Sequence, residues 1–252
     1  MLGAKAMPAP TPIISVIVVC KNPGPRLPAA LGSIWDQRPV PAELIVVDGG
    51  STDGTREWLE SQRSRIATLI SEPDRGVYDA MNKGLAAAHG DWVLFLGADD
   101  RLAGETVLGE AIHWMGENKA DVAIGEAAYD DGRIYQLGPR VNPVARNFVH
   151  HQAAFYRRKL FHEHGCFDPS LAIMADYEFN LRLWKKHAGF KSLPLCIATC
   201  GSGGLSDAGR WHGYGEEIRV RHRYFSWWHC LPWDTLSVLR FFRKKLVRKF
   251  TQ

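Results

Sequence analysis

The stretch IISVIVVC, from Ile13 to Cys20, is an unbroken apolar run rich in β-branched residues, and the breaker sequence Lys-Asn-Pro-Gly-Pro follows it at once. Such a run predicts a strand that is buried on both faces of a parallel sheet. Leu27 to Gln37 can form the helix that returns the chain, and LIVVD, from Leu44 to Asp48, repeats the apolar strand before a glycine-rich turn. The three segments together predict a βαβ unit.

The alternation of strand and helix continues outward from this unit as far as Ala103, with a further strand at WVLFL, from Trp92 to Leu96. This pattern predicts an α/β fold with a Rossmann-like, mostly parallel sheet and helices on both faces. After Ala103 the alternation weakens and indicates an α+β half. The segment from Leu236 to Phe250 carries its apolar residues at helical spacing among many cations, and it predicts a basic amphipathic helix at the C-terminus.

The composition excludes two classes of protein. A net charge of +4, from 31 basic and 27 acidic side chains, is too balanced for a general nucleic-acid binder. No apolar run approaches the roughly 20 residues that cross a bilayer as a helix. The five cysteines lack disulfide or metal spacing and favour a cytoplasmic protein. Residues 1–12 have no apolar core of a secretory signal, and we expect a disordered leader.

Two adjacent carboxylates stand where the strand of Trp92 to Leu96 ends, in the sequence FLGADD. Open parallel sheets bind ligands beyond the carboxyl ends of their strands, so we expect Asp99 and Asp100 to share one edge with Asp48. Paired oxygen donors suit Mg²⁺ or Mn²⁺, which also binds phosphate oxygens and water. The alternative is a loop with two solvated aspartates, because such pairs are common in turns.

The loop VVDGGSTDGT, from Val46 to Thr55, follows the second predicted strand. Its glycines let the backbone approach a ligand closely, and Asp48 can accept hydrogen bonds from a nucleobase or ribose. The alternative is a capping loop in which Asp53 closes the next helix. Both interpretations can hold together, because they use different residues.

A third motif, EPDRGVYDAMNKG from Glu72 to Gly84, stands between these two. The three motifs, in this order and at these separations, resemble glycosyltransferase family 2, in the subgroup that makes cell-surface polysaccharides of the colanic-acid type. The resemblance runs from about Ile13 to Ser206. It implies a hexosyltransferase-type enzyme with a GT-A fold, which binds a nucleoside-diphosphate sugar as donor together with Mn²⁺ or Mg²⁺.

The resemblance also divides the chain. Residues 13–206 form the expected catalytic domain, with a nucleotide-sugar-binding half at 13–103 and an acceptor half at 104–206. Residues 207–252 form a helical tail that is basic and aromatic. The resemblance implies ligand or metal contacts for five side chains of the first half, namely Asp48 on the base, Asp74 and Arg75 near the nucleotide, and Asp99 and Asp100 on the metal.

The first half departs from the family pattern at two positions. Many members carry a third carboxylate where this chain has Gly97, and a threonine where it has Cys20. Asn82 lies one helical turn beyond Tyr78, so it can contact the ligand from the same polar face, with plain solvation of the helix as the alternative. Because Gly97 stands at the position of the third carboxylate, the expected ligands of the metal are Asp99 or Asp100, water and diphosphate oxygens.

The acceptor half carries IMADYEFNLRL, from Ile173 to Leu183, which resembles the acidic motif of the family. This implies that Asp176 is the catalytic base, because an inverting transfer needs a carboxylate to take the proton of the attacking hydroxyl. Helix capping is the alternative role for Asp176, and Glu178 is the alternative base. His151 matches a histidine of relatives that lines the acceptor or diphosphate site, or it is simply a partly buried polar residue.

The expected acceptor is a glycan or a lipid-linked saccharide. Residues 225–250 combine aromatic and basic side chains, and this combination predicts peripheral contact with an anionic membrane at the inner face of the plasma membrane. The alternative is that the apolar face of the helix packs on the domain. Without the Gln-x-x-Arg-Trp motif of processive relatives, we expect one sugar per encounter. A nucleotidyltransferase and a non-catalytic binding protein of the same fold are the alternative functions.

Overall fold

The computed structural model describes residues 13–138, 141–201 and 211–250, with side chains described as far as Leu246. The expected leader at residues 1–12 and the expected domain boundary after residue 206 lie outside these ranges. The first half alternates strand and helix as predicted, and its elements are β1 Ile14–Cys20, α1 Arg26–Trp35, β2 Ala42–Asp48, α2 Thr55–Ser61, β3 Thr68–Ser71, α3 Val77–Ala86 and β4 Trp92–Gly97.

The second half mixes short strands with longer helices. Its elements are β5 Arg101–Leu102, α4 Val107–Glu117, β6 Val122–Tyr129, β7 Ile134–Tyr135, β8 Ala154–Arg157, α5 Lys159–His164, α6 Ala175–Lys185, β9 Phe190–Cys200, α7 Trp211–Tyr224 and α8 Trp227–Phe250. The predicted start of the last helix at Leu236 is wrong, because α8 begins at Trp227 and contains Pro232. Pro232 is the sixth residue of α8, so it removes the backbone hydrogen bond to the carbonyl of Trp228 and crowds that carbonyl.

One sheet of nine strands connects the two halves, in the order β3-β2-β1-β4-β8-β6-β9-β5, with β7 paired to β6. Strands β1 to β4 are parallel to one another, as predicted. The strand β8 enters antiparallel between β4 and β6, and β9 then runs parallel to β6. The carboxyl ends of β1 and β4 therefore lie at the same edge of the sheet, next to the strands of the second half.

Helices cover both faces of this sheet, as the α/β prediction requires. The strand β1 shows why, since Val16 and Val18 point to one apolar core and Ile17 and Val19 to the other. The first core includes side chains of α1 and α4, and the second includes side chains of α3, α5 and α6. A strand that is apolar at every position needs both layers to remove its side chains from water.

The helix α7 packs on α6 and α8, and three of its charged side chains are almost wholly removed from solvent. Glu216, Glu217 and Arg221 are all buried, and Val220 joins the second apolar core. The guanidinium of Arg221 donates to the carbonyl of Val144 and pairs with Glu217 and Asp234. A buried ion needs such partners, because an unpaired one would lose several kcal/mol of solvation, by a rough estimate.

Candidate active site

A cavity of about 960 Å³ opens at the carboxyl ends of β1 and β4. Its sheet wall consists of Gly97 to Asp100, and its helix wall consists of the side chains of Tyr78, Asn147, His151 and Asp176. A volume of this size is typical of sites that hold a whole small ligand. The predicted metal-binding pair and the predicted base thus lie on two walls of one cavity, although about 75 residues separate them in the sequence.

The sheet wall begins where β4 ends. The carboxylate of Asp100 turns back and accepts a hydrogen bond of 2.8 Å from the backbone N–H of Gly97, and it is almost fully buried. The carboxylate of Asp99 is more open and lies 3.8 Å from the guanidinium of Arg26. Burial raises the pKa of Asp100, and the neighbouring charge of Asp99 raises it further, against the lowering effect of the Gly97 N–H. This wall therefore concentrates negative charge that lacks full compensation.

The sheet wall fits a divalent cation. A Cβ atom placed on Gly97 would lie 2.9 Å from Oδ2 of Asp100 and 3.0 Å from Oδ1 of Asp99, so oxygens of both carboxylates border one small space. Among the described residues, no group of three or more histidine, cysteine or acidic side chains could enclose a metal. Magnesium and manganese do not need such a cage, because they commonly bind one or two carboxylates, water and phosphate oxygens.

The carboxylate of the helix wall is surrounded by hydrogen-bond donors, unlike the carboxylates of the sheet wall. Asp176 lies in the first turn of α6, and four donors contact its two oxygens. Oδ1 accepts from the hydroxyl of Tyr78 at 3.0 Å and from the backbone N–H of Tyr177 at 2.8 Å. Oδ2 lies 2.8 Å from Nδ2 of Asn147 and 3.1 Å from Nδ1 of His151. Burial would raise the pKa of Asp176, but the hydrogen bond and charge of His151, followed by the hydrogen bonds from Tyr78 and the N–H of Tyr177, hold the pKa below its ordinary value.

The donors on the helix wall are themselves held in place. Burial and then the Asp176 charge raise the pKa of Tyr78, so its hydroxyl stays protonated, and it also donates to the carbonyl of Ile173 at 2.7 Å. The ring of His150 stacks on that of His151. Burial, followed by the charge of His151, lowers the pKa of His150 to about 4, so this residue is neutral at neutral pH. The helix wall is therefore a rigid hydrogen-bonded group around one ionised carboxylate.

The backbone that leads into Asp176 is fixed by a residue of α7. Glu216 is fully buried, and its carboxylate accepts the N–H groups of Ala172 and Ile173 at 2.8 Å and of Met174 at 3.0 Å. These three residues line the cavity. Glu216 therefore couples the C-terminal helices to the site.

The residues predicted to contact the nucleotide lie outside this lining, in the part of the chain that the structure describes. Asp48 is buried at the end of β2 and accepts from the hydroxyl of Ser71 at 2.7 Å and from the N–H of Ser51 at 3.1 Å. Asp74 sits against Gly49, where a Cβ atom would be only 1.8 Å from its Oδ2. The guanidinium of Arg75 is exposed and pairs with Asp79 at 2.9 Å. Their contacts with a nucleotide stay predictions.

Asn82 makes two hydrogen bonds to the backbone of Phe167. Its amide donates to the carbonyl of Phe167 at 2.9 Å and accepts the N–H of Phe167 at 3.1 Å, so both polar groups of the side chain are used within the protein. The alternative base, Glu178, lies outside the cavity lining and contacts Arg182 at 2.6 Å and the hydroxyl of Tyr224. Asn82 is thus a structural clamp between α3 and the segment before α6, and its contact with a ligand stays a prediction.

Sequence reasoning missed Asn147 and Glu216. Asn147 lies in an irregular segment, 29 residues before the aspartate that it contacts, so no local periodicity indicates its role. Glu216 lies in a helix whose sequence has no strong apolar face, and its fully buried position depends on packing against α6 and the loop before it. When a side chain accepts hydrogen bonds from backbone groups that are distant in the sequence, the residues around it in the sequence do not indicate this role.

Residues 15–176 match the family model for glycosyl transferase family 2. The chain belongs to this family. The transferase is 36% identical over 186 residues to the PGL/p-HBAD biosynthesis glycosyltransferase of Mycobacterium tuberculosis, which covers 70% of this chain and 72% of that relative. It is also 33% identical over 129 residues to Glycosyltransferase GlyG of Streptococcus pneumoniae serotype 4, which covers 49% of this chain and 42% of the relative.

Two solved structures show the same fold. The S. aureus TarS fragment 1–349 in complex with UDP-GlcNAc has a TM-score of 0.72 at 20% identity, covering 91% of this chain and 72% of that one. The mannosyltransferase PcManGT of Pyrobaculum calidifontis, in complex with GDP-Man and Mn²⁺, has a TM-score of 0.61 at 19% identity, covering 91% and 75%. The predictions of a family 2 glycosyltransferase and of a GT-A fold are confirmed, whereas the colanic-acid subgroup stays a prediction.

Proposed function

We propose that this transferase moves a sugar from a nucleoside-diphosphate sugar, with UDP or GDP as the nucleotide, to a glycan or lipid-linked acceptor of the cell envelope. The transfer inverts the anomeric carbon and adds one sugar per encounter. The observation that carries the proposal is the meeting of Asp99, Asp100 and Asp176 on two walls of one cavity. The complexes of the two structural neighbours with UDP-GlcNAc and GDP-Man support the donor class.

The sheet wall holds the diphosphate end of the donor in this proposal. Asp99 and Asp100 would bind Mn²⁺ or Mg²⁺, and one neighbour contains Mn²⁺. When bound, such a cation neutralises charge on the diphosphate leaving group. Arg26 lies on the same side of the cavity, within 3.8 Å of Asp99, and its guanidinium can contact a phosphate oxygen. Asp48, Asp74 and Arg75 would contact the nucleoside.

The helix wall prepares the acceptor hydroxyl. The contacts of Asp176, first among them the hydrogen bond and charge of His151, lower its pKa against the effect of burial, so the ionised carboxylate can accept the proton of the hydroxyl as the new glycosidic bond forms. Oδ2 is the oxygen whose partners, Asn147 and His151, both line the cavity. These two residues hold the carboxylate in one orientation, which lowers the entropy lost when the acceptor is positioned.

The acceptor and the location of the protein follow from the same proposal. The M. tuberculosis relative carries PGL/p-HBAD biosynthesis in its name, which supports a glycolipid or another envelope saccharide as acceptor. No helix in the described ranges is long and apolar enough to cross a bilayer. We infer peripheral contact of residues 225–250 with the inner face of the plasma membrane.

A donor-turnover assay tests this proposal. The protein is mixed with a panel of UDP- and GDP-sugars and Mn²⁺, and the released nucleotide is measured with and without simple saccharide acceptors. We expect slow hydrolysis of one donor and faster turnover with an acceptor, whose product is inverted by NMR. Retention of configuration would contradict the mechanism. Nucleotide binding by thermal shift without any turnover across the panel would instead indicate the non-catalytic binding protein.

A further inference from the structure

An apolar stripe runs along the solvent side of α8. Trp228, Leu239, Phe242 and Leu246 are 76%, 60%, 53% and 57% exposed. Together with the exposed Leu231, they follow one another at intervals that keep them on one face of a helix, since three or four residues complete about one turn. Large apolar side chains that are contiguous and exposed mark a binding surface more often than scattered ones do.

The other side of α8 is fixed to the domain, so the stripe cannot turn inward. Cys230 and Ser237 are buried against α7. Arg240 donates to Glu217 at 2.9 Å, and Asp234 pairs with the buried Arg221 and, at 2.7 Å, with His222. Rotation of the helix would separate these ion pairs and leave buried charges without partners, which is strongly unfavourable. The predicted alternative, in which the apolar face packs on the domain, is wrong for the described side chains.

The charges around the stripe identify what can cover it. Asp234 is the only acidic residue between Trp227 and Phe250, and Arg221 and His222 engage it. The exposed cations Arg243 and Lys245 lie on opposite flanks of the stripe, at about 100° per residue around the helix. Apolar side chains between flanking cations match the boundary of a bilayer, where aromatic rings lie at headgroup level and cations meet anionic lipid. A second copy of this face would instead bring like charges together.

We propose that α8 lies flat in the headgroup region of an anionic bilayer, with its stripe of Trp228, Leu231, Leu239, Phe242 and Leu246 turned towards the lipid. Because α8 packs on α7 and Glu216 of α7 holds residues 172–174 of the cavity wall, docking fixes the cavity relative to the membrane. That this placement serves a lipid-linked acceptor rests on the proposed function. Binding of the surface itself does not depend on catalysis.

Vesicle co-sedimentation tests the surface, with phosphatidylcholine vesicles and with vesicles that also contain phosphatidylglycerol. We expect the full chain to bind the anionic vesicles, and the triple variant L239Q/F242Q/L246Q to bind at least about tenfold more weakly, because three apolar groups no longer leave water. I134Q is the matched control, since Ile134 is 66% exposed but lies on β7, away from α8. It should bind like the unchanged chain.

A second variant separates the charge contribution from the apolar one. R243Q/K245Q should bind the anionic vesicles more weakly, by roughly fivefold for each charge removed, and its binding should depend less steeply on salt. Melting temperatures should not change in either variant, because the altered side chains are exposed in the folded chain.

Three outcomes would overturn the inference. They are the absence of binding by the unchanged chain, equal binding by the triple variant, and a dimer in analytical ultracentrifugation that the triple variant abolishes. None of these readouts uses donor turnover, so the docking surface and the proposed function can fail independently of each other.

Discussion

The surroundings shift the pKa of a buried carboxylate in opposite directions on the sheet wall and on the helix wall of the cavity. On the sheet wall, Asp99 and Asp100 are adjacent, and burial together with mutual repulsion raises the pKa of Asp100. On the helix wall, Asp176 is also buried, yet the hydrogen bond and charge of His151, with the hydrogen bonds of Tyr78 and the N–H of Tyr177, lower its pKa. On the sheet wall, the guanidinium of Arg26 lies 3.8 Å from Asp99, and the pKa of Asp100 is still raised, whereas on the helix wall the contacts within the protein lower the pKa of Asp176. In the proposed function, this difference separates carboxylates that bind a cation from a carboxylate that takes a proton.

Removal of the carboxylate from the helix wall should have the largest effect on catalysis. D176N keeps the size of the side chain but cannot accept the proton, so we expect kcat to fall by about 10²–10⁴ with little change in donor affinity. Single-turnover kinetics with the donor found in the panel assay would measure it. E178Q provides the control, since it removes a buried charge from the same helix outside the cavity. Equal losses of kcat in both variants would mean that the charges of α6 support its structure and that Asp176 has no separate role in proton transfer.

Removal of a carboxylate from the sheet wall should act on the metal instead. In D99N one oxygen ligand is lost, and we expect the half-saturating Mn²⁺ concentration for nucleotide binding to rise about tenfold, by analogy with the weakening that follows loss of one good charged contact. A thermal-shift titration of UDP or GDP with Mn²⁺ gives this value. D36N, at an exposed aspartate that follows the C-terminal end of α1, should leave it unchanged. A normal metal response in D99N would place the cation elsewhere.

The support of the helix wall can be weakened from a distance. E216Q replaces a carboxylate that accepts three backbone N–H groups by an amide with one acceptor oxygen, which should cost about 2 kcal/mol and lower the melting temperature by roughly 4–8 °C. Because residues 172–174 line the cavity, kcat should fall severalfold while donor affinity is kept. E57Q, on an exposed face of α2, is the control. A stability loss with unchanged kcat would restrict Glu216 to a structural role.

Removal of a carboxylate from the sheet wall and from the helix wall should change the free energy of unfolding of the metal-free protein in opposite directions. A carboxyl group whose folded pKa is lowered stabilises the fold above its unfolded pKa, near 3.9, and loses this contribution as pH falls. A raised folded pKa has the reverse sign, so ionised Asp100 destabilises the fold at neutral pH. We therefore expect D176N to lower the free energy of unfolding by about 1 kcal/mol at pH 7. We expect D100N to raise this free energy or to leave it unchanged.

Urea denaturation at pH 7 and pH 4 checks this prediction. The difference between the two variants should shrink at pH 4, because the contribution of each carboxylate falls as the pH approaches the range in which it takes up a proton. Destabilisation of D100N by as much as D176N would show that the repulsion within the sheet wall is compensated by groups inside the protein.

Much of the first half was predictable from local pattern. Apolar runs such as Ile14–Cys20 and Trp92–Gly97 are buried on both faces and form parallel strands, and their ends place Asp99 and Asp100 at the ligand edge. Asp176 was predictable only through the resemblance of its motif. Its partners were not, because Tyr78, Asn147 and His151 come from three separate segments whose hydrogen bonds form after the chain has folded.

The sequence alone determined the family, the parallel core and the carboxylates that line the cavity, because strand burial and strand-end chemistry are encoded in neighbouring residues. Only the tertiary structure decided that Asn82 is a clamp, that Glu216 supports the cavity wall and that the apolar face of α8 meets solvent. These roles depend on which distant groups surround a side chain, and periodicity within one segment does not contain that information.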